Sequence, residues 1–179
     1  MEENNIELKK KAVDEDISSI TAQLHRLPRT AIQLRRAFGK SLWDAGIPNK
    51  VAYYEATGTC QSRKFSKLTY LNFFTVTLIA SQIDSDGAPK VNMEDYLHKV
   101  YMDSSTSESQ KKRIIKMLAL QYEPDGYLID MIKKFAKQAR NAGIVINEFK
   151  LYRDIMYWNE DYNRIPERWA QKILKEVEL

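Results

Sequence analysis

Apolar side chains recur at helical spacing along nearly the whole chain. Ala31, Leu34, Phe38 and Leu42 fall three or four positions apart, which predicts a helix from about residue 30 to residue 42 with Thr30 as its N-cap. An opening helix is expected over residues 6–24, stopped near Pro28. A short helix over residues 48–56 is opened by Pro48. Residues 58–66 read as a polar, basic loop, and Ser66 is placed to cap an apolar helix running to about Gln82. That helix is apolar on most sides and belongs at the centre of a bundle.

Past a loop at residues 84–89, Asn92 is expected to cap a helix to about Tyr101. Three more helices follow over residues 107–121, 125–142 and 147–160, with Asp125 and Asn147 as N-caps and Gly143 as a C-terminal stop. Pro166 falls in the first turn of the last helix. The polar, serine-rich stretch at residues 103–109 is the expected boundary between an N-terminal helical bundle (1–104) and a C-terminal one (105–179). The expected fold is all-α: two small helical bundles packed in one elongated subunit.

Composition narrows this further. Six glycines and five prolines in 179 residues leave little turn chemistry for an all-β fold. The one cysteine, Cys60, excludes an internal disulfide framework and suits a reducing compartment. The first residues are acidic, with no apolar leader, and the apolar stretch at 68–80 is interrupted by Thr69, Asn72, Thr75 and Thr77. A soluble, cytoplasmic protein with no membrane partner is expected.

Net charge is +4, and it is segregated. Residues 1–24 carry −3, residues 25–67 carry +7, residues 68–110 carry −4 and residues 111–179 carry +4. Clustered cations attract phosphate backbones through counterion release. Arg29, Arg36 and Lys40 sit on one helical face, and Arg35 and Arg36 have no acidic residue within seven positions on either side. Arg63, Lys64 and Lys67 crowd one loop around Phe65, which is placed either to stack on a base or to staple the next helix to the core. Lys112, Arg113 and Lys116 flank a face opposite Ile114, Ile115 and Leu118. Lys133, Lys137 and Arg140, with Lys134 beside them, lie opposite Leu128, Met131, Ile132, Phe135 and Ala139. On the last helix Arg164, Arg168, Lys172 and Lys175 accompany a buried stripe of Trp169, Ile173 and Val177. Lysines on a wet helix face are ordinary, and Asp130, Glu167 and Glu176 are placed to neutralise some of these charges.

Side chains for catalysis are sparse. His25 and His98 lack the neighbours of a zinc or nucleophile site, and the glycines form no phosphate loop. The segment around Asp84, Asp86 and Gly87 fails a calcium loop at its first and last ligand positions, Gln82 and Met93. Glu94 and Asp95, like Glu160 and Asp161, are adjacent rather than one turn apart. No enzyme, metal or cofactor is expected.

Several short motifs fall in a familiar order over residues 25–175. They are Leu34-Arg35-Arg36 with Gly46-Ile47-Pro48 after it, Lys67 to Leu71, Lys112 to Ile115, Asp130 to Lys134, and Leu151 to Trp158 followed by Arg164 to Ala170. In these the chain resembles the CasB family, the small subunit of type I-E CRISPR surveillance complexes (Cascade). It departs from the family pattern at Lys133 and Lys134, where members often carry arginines, and in its acidic first 24 residues. The resemblance implies an all-helical, non-catalytic subunit present as two copies, beside guide RNA, target and non-target DNA strands and the backbone and large subunits. Its basic surface would hold the guide–target duplex and the displaced strand of the R-loop in antiviral defence. Two other readings stay open: a helix-turn-helix regulator built on residues 30–56, and a protein–protein adaptor without nucleic-acid affinity.

Overall fold

The computed structural model describes residues 2–85, 87–124 and 126–175. The fold is all-α: nine α-helices among the described residues and one parallel pair of two-residue strands. The chain divides into two compact units, Met1–Ala88 and Pro89–Leu179. The boundary therefore lies well before residues 104/105. The helix over Met93–Met102, assigned by sequence to the first bundle, belongs to the second unit, because Tyr96 and Leu97 are buried there and His98 Nδ1 bonds the Ile173 carbonyl at 2.9 Å.

The first unit contains α1 (Glu2–Arg26), α2 (Pro28–Ala37), α3 (Gly46–Thr57) and α4 (Tyr70–Gln82), closed by a 3-10 turn at Ile83–Ser85. On α1, Val13, Ile17, Ile20 and Leu24 are buried at spacings of three and four. Leu27 alone separates α1 from α2, since Pro28 suits the first turn of the new helix and not the interior of the old one. Thr30 is not a cap; it lies inside α2 and its hydroxyl donates to Glu55 Oε2 at 2.6 Å. The helix ends at Ala37 rather than Leu42, because Gly39 takes a positive φ of 89° and turns the chain. Phe38 and Leu42 are nevertheless buried beyond it.

Every residue of α4 is buried except Ser81, which is half-buried, so it is the unit's central helix as its composition demanded. It starts later than expected. Thr69, not Ser66, is the N-cap, its hydroxyl accepting from Asn72 N at 3.1 Å, while the Ser66 hydroxyl turns back to the Arg63 carbonyl.

The second unit holds β1 (Lys90–Val91), α5 (Met93–Met102), α6 (Glu108–Leu118), α7 (Tyr127–Asn141), β2 (Val145–Ile146), α8 (Glu148–Met156) and α9 (Ile165–Leu174). Val91 pairs with Ile146 in the parallel strands, so the following residues, Asn92 and Asn147, stand side by side and their side chains are hydrogen-bonded at 3.1 Å. Each occupies the N-cap position of the helix that follows, and Asn147 Oδ1 accepts from Lys150 N. Ser107 caps α6, and Gly143, at φ 73°, stops α7. Asp125, expected to cap α7, and Val177, expected in the last apolar stripe, lie outside the described residues, as do Asp86 and Glu176. Gly126 occupies the α7 cap position.

The core of this unit is aromatic at one end. Trp158 and Trp169 meet edge to face with ring centroids 5.1 Å apart, and each indole N–H is bonded, to the Leu120 carbonyl and to Asp154 Oδ2. Lys150 bridges the buried Glu94 and Asp154, and Lys90 reaches the buried Glu148. No helix among the described residues is long and apolar enough to cross a membrane.

Lys150 holds two carboxylates away from water, so its loss leaves both without their cation. Lys150→Met is expected to destabilise the second unit by on the order of 3 kcal/mol, read as a lowered urea midpoint for Trp158/Trp169 fluorescence. An unchanged midpoint would show that the bridge contributes nothing.

Candidate nucleic-acid interface

The basic loop at residues 60–67 is fixed from beneath by buried polar groups. Tyr53 is fully buried on α3, and its hydroxyl donates to the carbonyls of Phe65 at 2.8 Å and Lys67 at 3.0 Å. Asn72, in the first turn of α4, donates its side-chain amide to the carbonyls of Lys64 and Lys67. Asp16 of α1 accepts the backbone N–H groups of Gln61 and Ser62 through Oδ1. Phe65 is buried completely, so it anchors the loop and offers no ring to a base. With its backbone satisfied inward, the loop presents Arg63, Lys64 and Lys67 to solvent, and none of the three forms an ion pair among the described residues. The backbone that carries these cations is fixed before any ligand arrives, which reduces the ordering cost of binding to that of the side chains.

On α2, Arg29 and Arg36 are exposed on one face as their spacing predicts, whereas Lys40, expected on that same helical face, lies beyond the end of the helix, where Gly39 has turned the chain, and is exposed there. Arg29 and Arg26 also line an open cleft of about 740 Å³ at the α1–α2 junction. Arg35 differs from expectation. No acid is near it in sequence, yet the fold brings Asp84 to 2.7 Å from its guanidinium, and Nε approaches the Ala80 carbonyl at 3.4 Å. Arg35 is thus a cross-link between α2 and the end of α4, with its charge compensated.

In the second unit α6 and α7 run side by side, and Gln110 donates to Gln138 at 3.0 Å across their polar faces. One turn on from that bond, Arg113 on α6 and Lys134 on α7 are both exposed, as are Lys112, Lys116 and Lys137. The Lys116 ammonium lies 5.6 Å from the ring centroid of Tyr127, an exposed aromatic at the start of α7. The buried face of α6 is Ile114 and Met117; Ile115, assigned by sequence to that face, is 41% exposed.

Other assigned cations do structural work. Lys133 is buried and pairs with Asp130 at 2.8 Å. Lys172 pairs with Asp95 of α5 at 3.1 Å, a partner 77 positions away that no local pattern identifies. Arg140 is half-buried and partnered. Arg164 takes a left-handed conformation (φ 44°) before α9 and lines a cleft with Glu160, Asp161 and Glu167, surroundings that repel a polyanion. Arg168 is exposed one turn before Lys172. Exposed cations from a subset of the predicted residues thus remain in three places: on and just beyond α2, in the 60–67 loop, and along α6 and α7.

Several of the groups considered for chemistry have structural partners. His98 bonds a carbonyl, and Glu94 is tied to Lys150. Burial, and secondarily the charge of Asp16, pushes the Cys60 thiol up to about 12. No group of three or more His, Cys, Asp or Glu among the described residues is arranged to hold a metal ion. Set against family models, curated proteins and solved structures, the chain finds no match in any of the three.

Removing the loop's inner anchor tests the geometry. Asn72→Leu is expected to cost about 1–3 kcal/mol, since two carbonyls lose a buried donor, and to raise hydrogen exchange across residues 63–69. Unchanged exchange would mean that Phe65, Tyr53 and Asp16 hold the loop without Asn72. Cys60 should resist maleimide at pH 8 in the native protein and react rapidly once unfolded. Its raised pKa favours the neutral thiol in the fold, so the associated stability is complete below about pH 9 and declines as pH rises toward about 12. Rapid native-state labelling would contradict this.

Proposed function

We propose that the chain is a non-catalytic, nucleic-acid-holding subunit of the type I-E Cascade small-subunit kind. In this reading it binds the sugar–phosphate backbone of guide RNA and of the DNA strands at an R-loop, beside the other subunits and a second copy of itself. The observation that carries the reading is the loop of Arg63, Lys64 and Lys67, exposed and unpaired while Tyr53, Asn72 and Asp16 satisfy its backbone. Arg113, Lys116 and Lys134, exposed on α6 and α7, add further cations, and the order of motifs along residues 25–175 supports this choice of family. Phosphate contacts of this kind fix position and carry no sequence information. Guide pairing delivers the sequence in RNA-guided complexes.

A helix-turn-helix reading fits less well. Eight residues separate α2 from α3, against a turn of about three or four in that motif. The exposed face of α3 offers Ile47, Val51 and Tyr54 in place of base-reading polar groups. The adaptor reading keeps one specific observation in its favour: Trp43 and Ile47 are 67% and 76% exposed, an apolar surface that a protein neighbour in an assembly would cover.

Purification from the native host should bring guide RNA and backbone subunits with the chain. For the isolated protein, fluorescence anisotropy should show weak binding independent of sequence. Log affinity should fall with log salt by about 0.7 per phosphate neutralised on a single strand and about 0.9 on a duplex. The double change Lys64→Ala with Lys67→Ala should flatten that slope and weaken every sequence alike. A salt-insensitive affinity, or a preference for one duplex sequence, would refute the proposal.

A further inference from the structure

Tyr54 is 53% exposed on α3. It meets the buried Tyr53 ring edge to face, centroids 5.4 Å apart and planes at 82°. Tyr53 is the residue whose hydroxyl grips the Phe65 and Lys67 carbonyls, so an exposed aromatic ring stands one side chain away from the anchored cationic loop. Proteins that bind single strands combine these two elements, cations along the phosphates and aromatic faces beneath the bases. A duplex buries its base faces and cannot use the second. Phe65, the aromatic that lies among the cations in sequence, is buried and unable to serve.

We propose that Tyr54 is a stacking platform for an unpaired base of single-stranded nucleic acid whose phosphates cross Arg63, Lys64 and Lys67. This rests on the phosphate-binding reading above and deepens it by naming the strand: unpaired, not duplex. The charge of the adjoining loop selects a polyanion over a protein helix as occupant of this part of α3. Stacking requires a flat ring and no hydroxyl, so phenylalanine should replace Tyr54 and leucine should not.

The test uses the full chain and three labelled probes of equal length: an oligo-dT single strand, a single strand of abasic sites and a duplex. Tyr54→Leu should weaken the oligo-dT complex by about 5- to 160-fold, the range of one lost base–aromatic stack. It should leave the abasic and duplex complexes unchanged, and Tyr54→Phe should retain wild-type affinity for all three. Lys64→Ala with Lys67→Ala should weaken all three probes. A Tyr54→Leu protein that binds oligo-dT normally overturns the stacking proposal, as does one that loses abasic and ordinary strands equally. Loss of partner proteins on purification with strand binding intact would likewise overturn it and assign the ring to a protein interface. Should the loop change leave every probe unaffected, the phosphate-binding reading itself fails and stacking with it. The thermal midpoint of Tyr54→Leu should stay at the wild-type value, which separates lost stacking from lost folding.

Discussion

A carbonyl oxygen turned toward the interior must meet a donor, and the first unit is organised around that requirement. Phe65 pulls the 60–67 loop against the core, which carries the carbonyls of Lys64, Phe65 and Lys67 away from water. Unsatisfied, each would cost about 1–3 kcal/mol. Tyr53 and Asn72 supply the donors, and both reach the Lys67 carbonyl. Asp16 performs the complementary task for the N–H groups of Gln61 and Ser62. Three helices thus hold one loop by its main chain. The side chains of Arg63, Lys64 and Lys67 form no ion pair among the described residues.

The second unit meets a related constraint with charges. Val91 and Ile146 set two short parallel strands in register, so α5 and α8 begin next to each other. Glu94 and Glu148 follow in the first turns of those helices, where carboxylates are favoured by the helix dipole but are here nearly excluded from solvent. Lys150 and Lys90 answer them, and Lys150 also meets Asp154, which takes the Trp169 indole N–H. Part of the cationic content is used in this way to neutralise buried acids. Net charge alone therefore overstates the cations left for a ligand.

The helices were legible because their signals are local. Period, the stop at Gly143, the proline at the start of α9 and the caps at Asn92 and Asn147 lie within a turn or two of what they control. The misplaced starts and ends have local causes read with the wrong priority: Gly39 ends α2 before its apolar period does, and Thr69 rather than Ser66 lies at the N-cap of α4. The domain boundary was misread because a serine-rich stretch marks a loop, not the allegiance of the helix before it. The strand pair of two residues each has no periodicity to detect. The sign most open to reading was Asn72, a polar residue in an apolar helix, whose burial required partners close by.

The same division between local and distant explains the site. Exposure of Arg29, Arg36, Lys134 and Lys137 follows from helical geometry. Neutralisation does not, because the acids that meet Arg35 and Lys172 are Asp84 and Asp95, far along the chain. Arg35 and Arg36, adjacent and alike in sequence, accordingly take opposite roles: one closes the bundle and the other faces water. A surface ion pair is worth about 0–1 kcal/mol, so the fold sacrifices little by leaving Arg36 unpaired. A phosphate gains more from an unpaired cation than from one that must first abandon a carboxylate. The cations that matter for a polyanion are then the ones that the fold does not need. By that criterion the field contracts to Arg29, Arg36 and Lys40, the loop over Tyr53 and Asn72, and the exposed cations of α6 and α7.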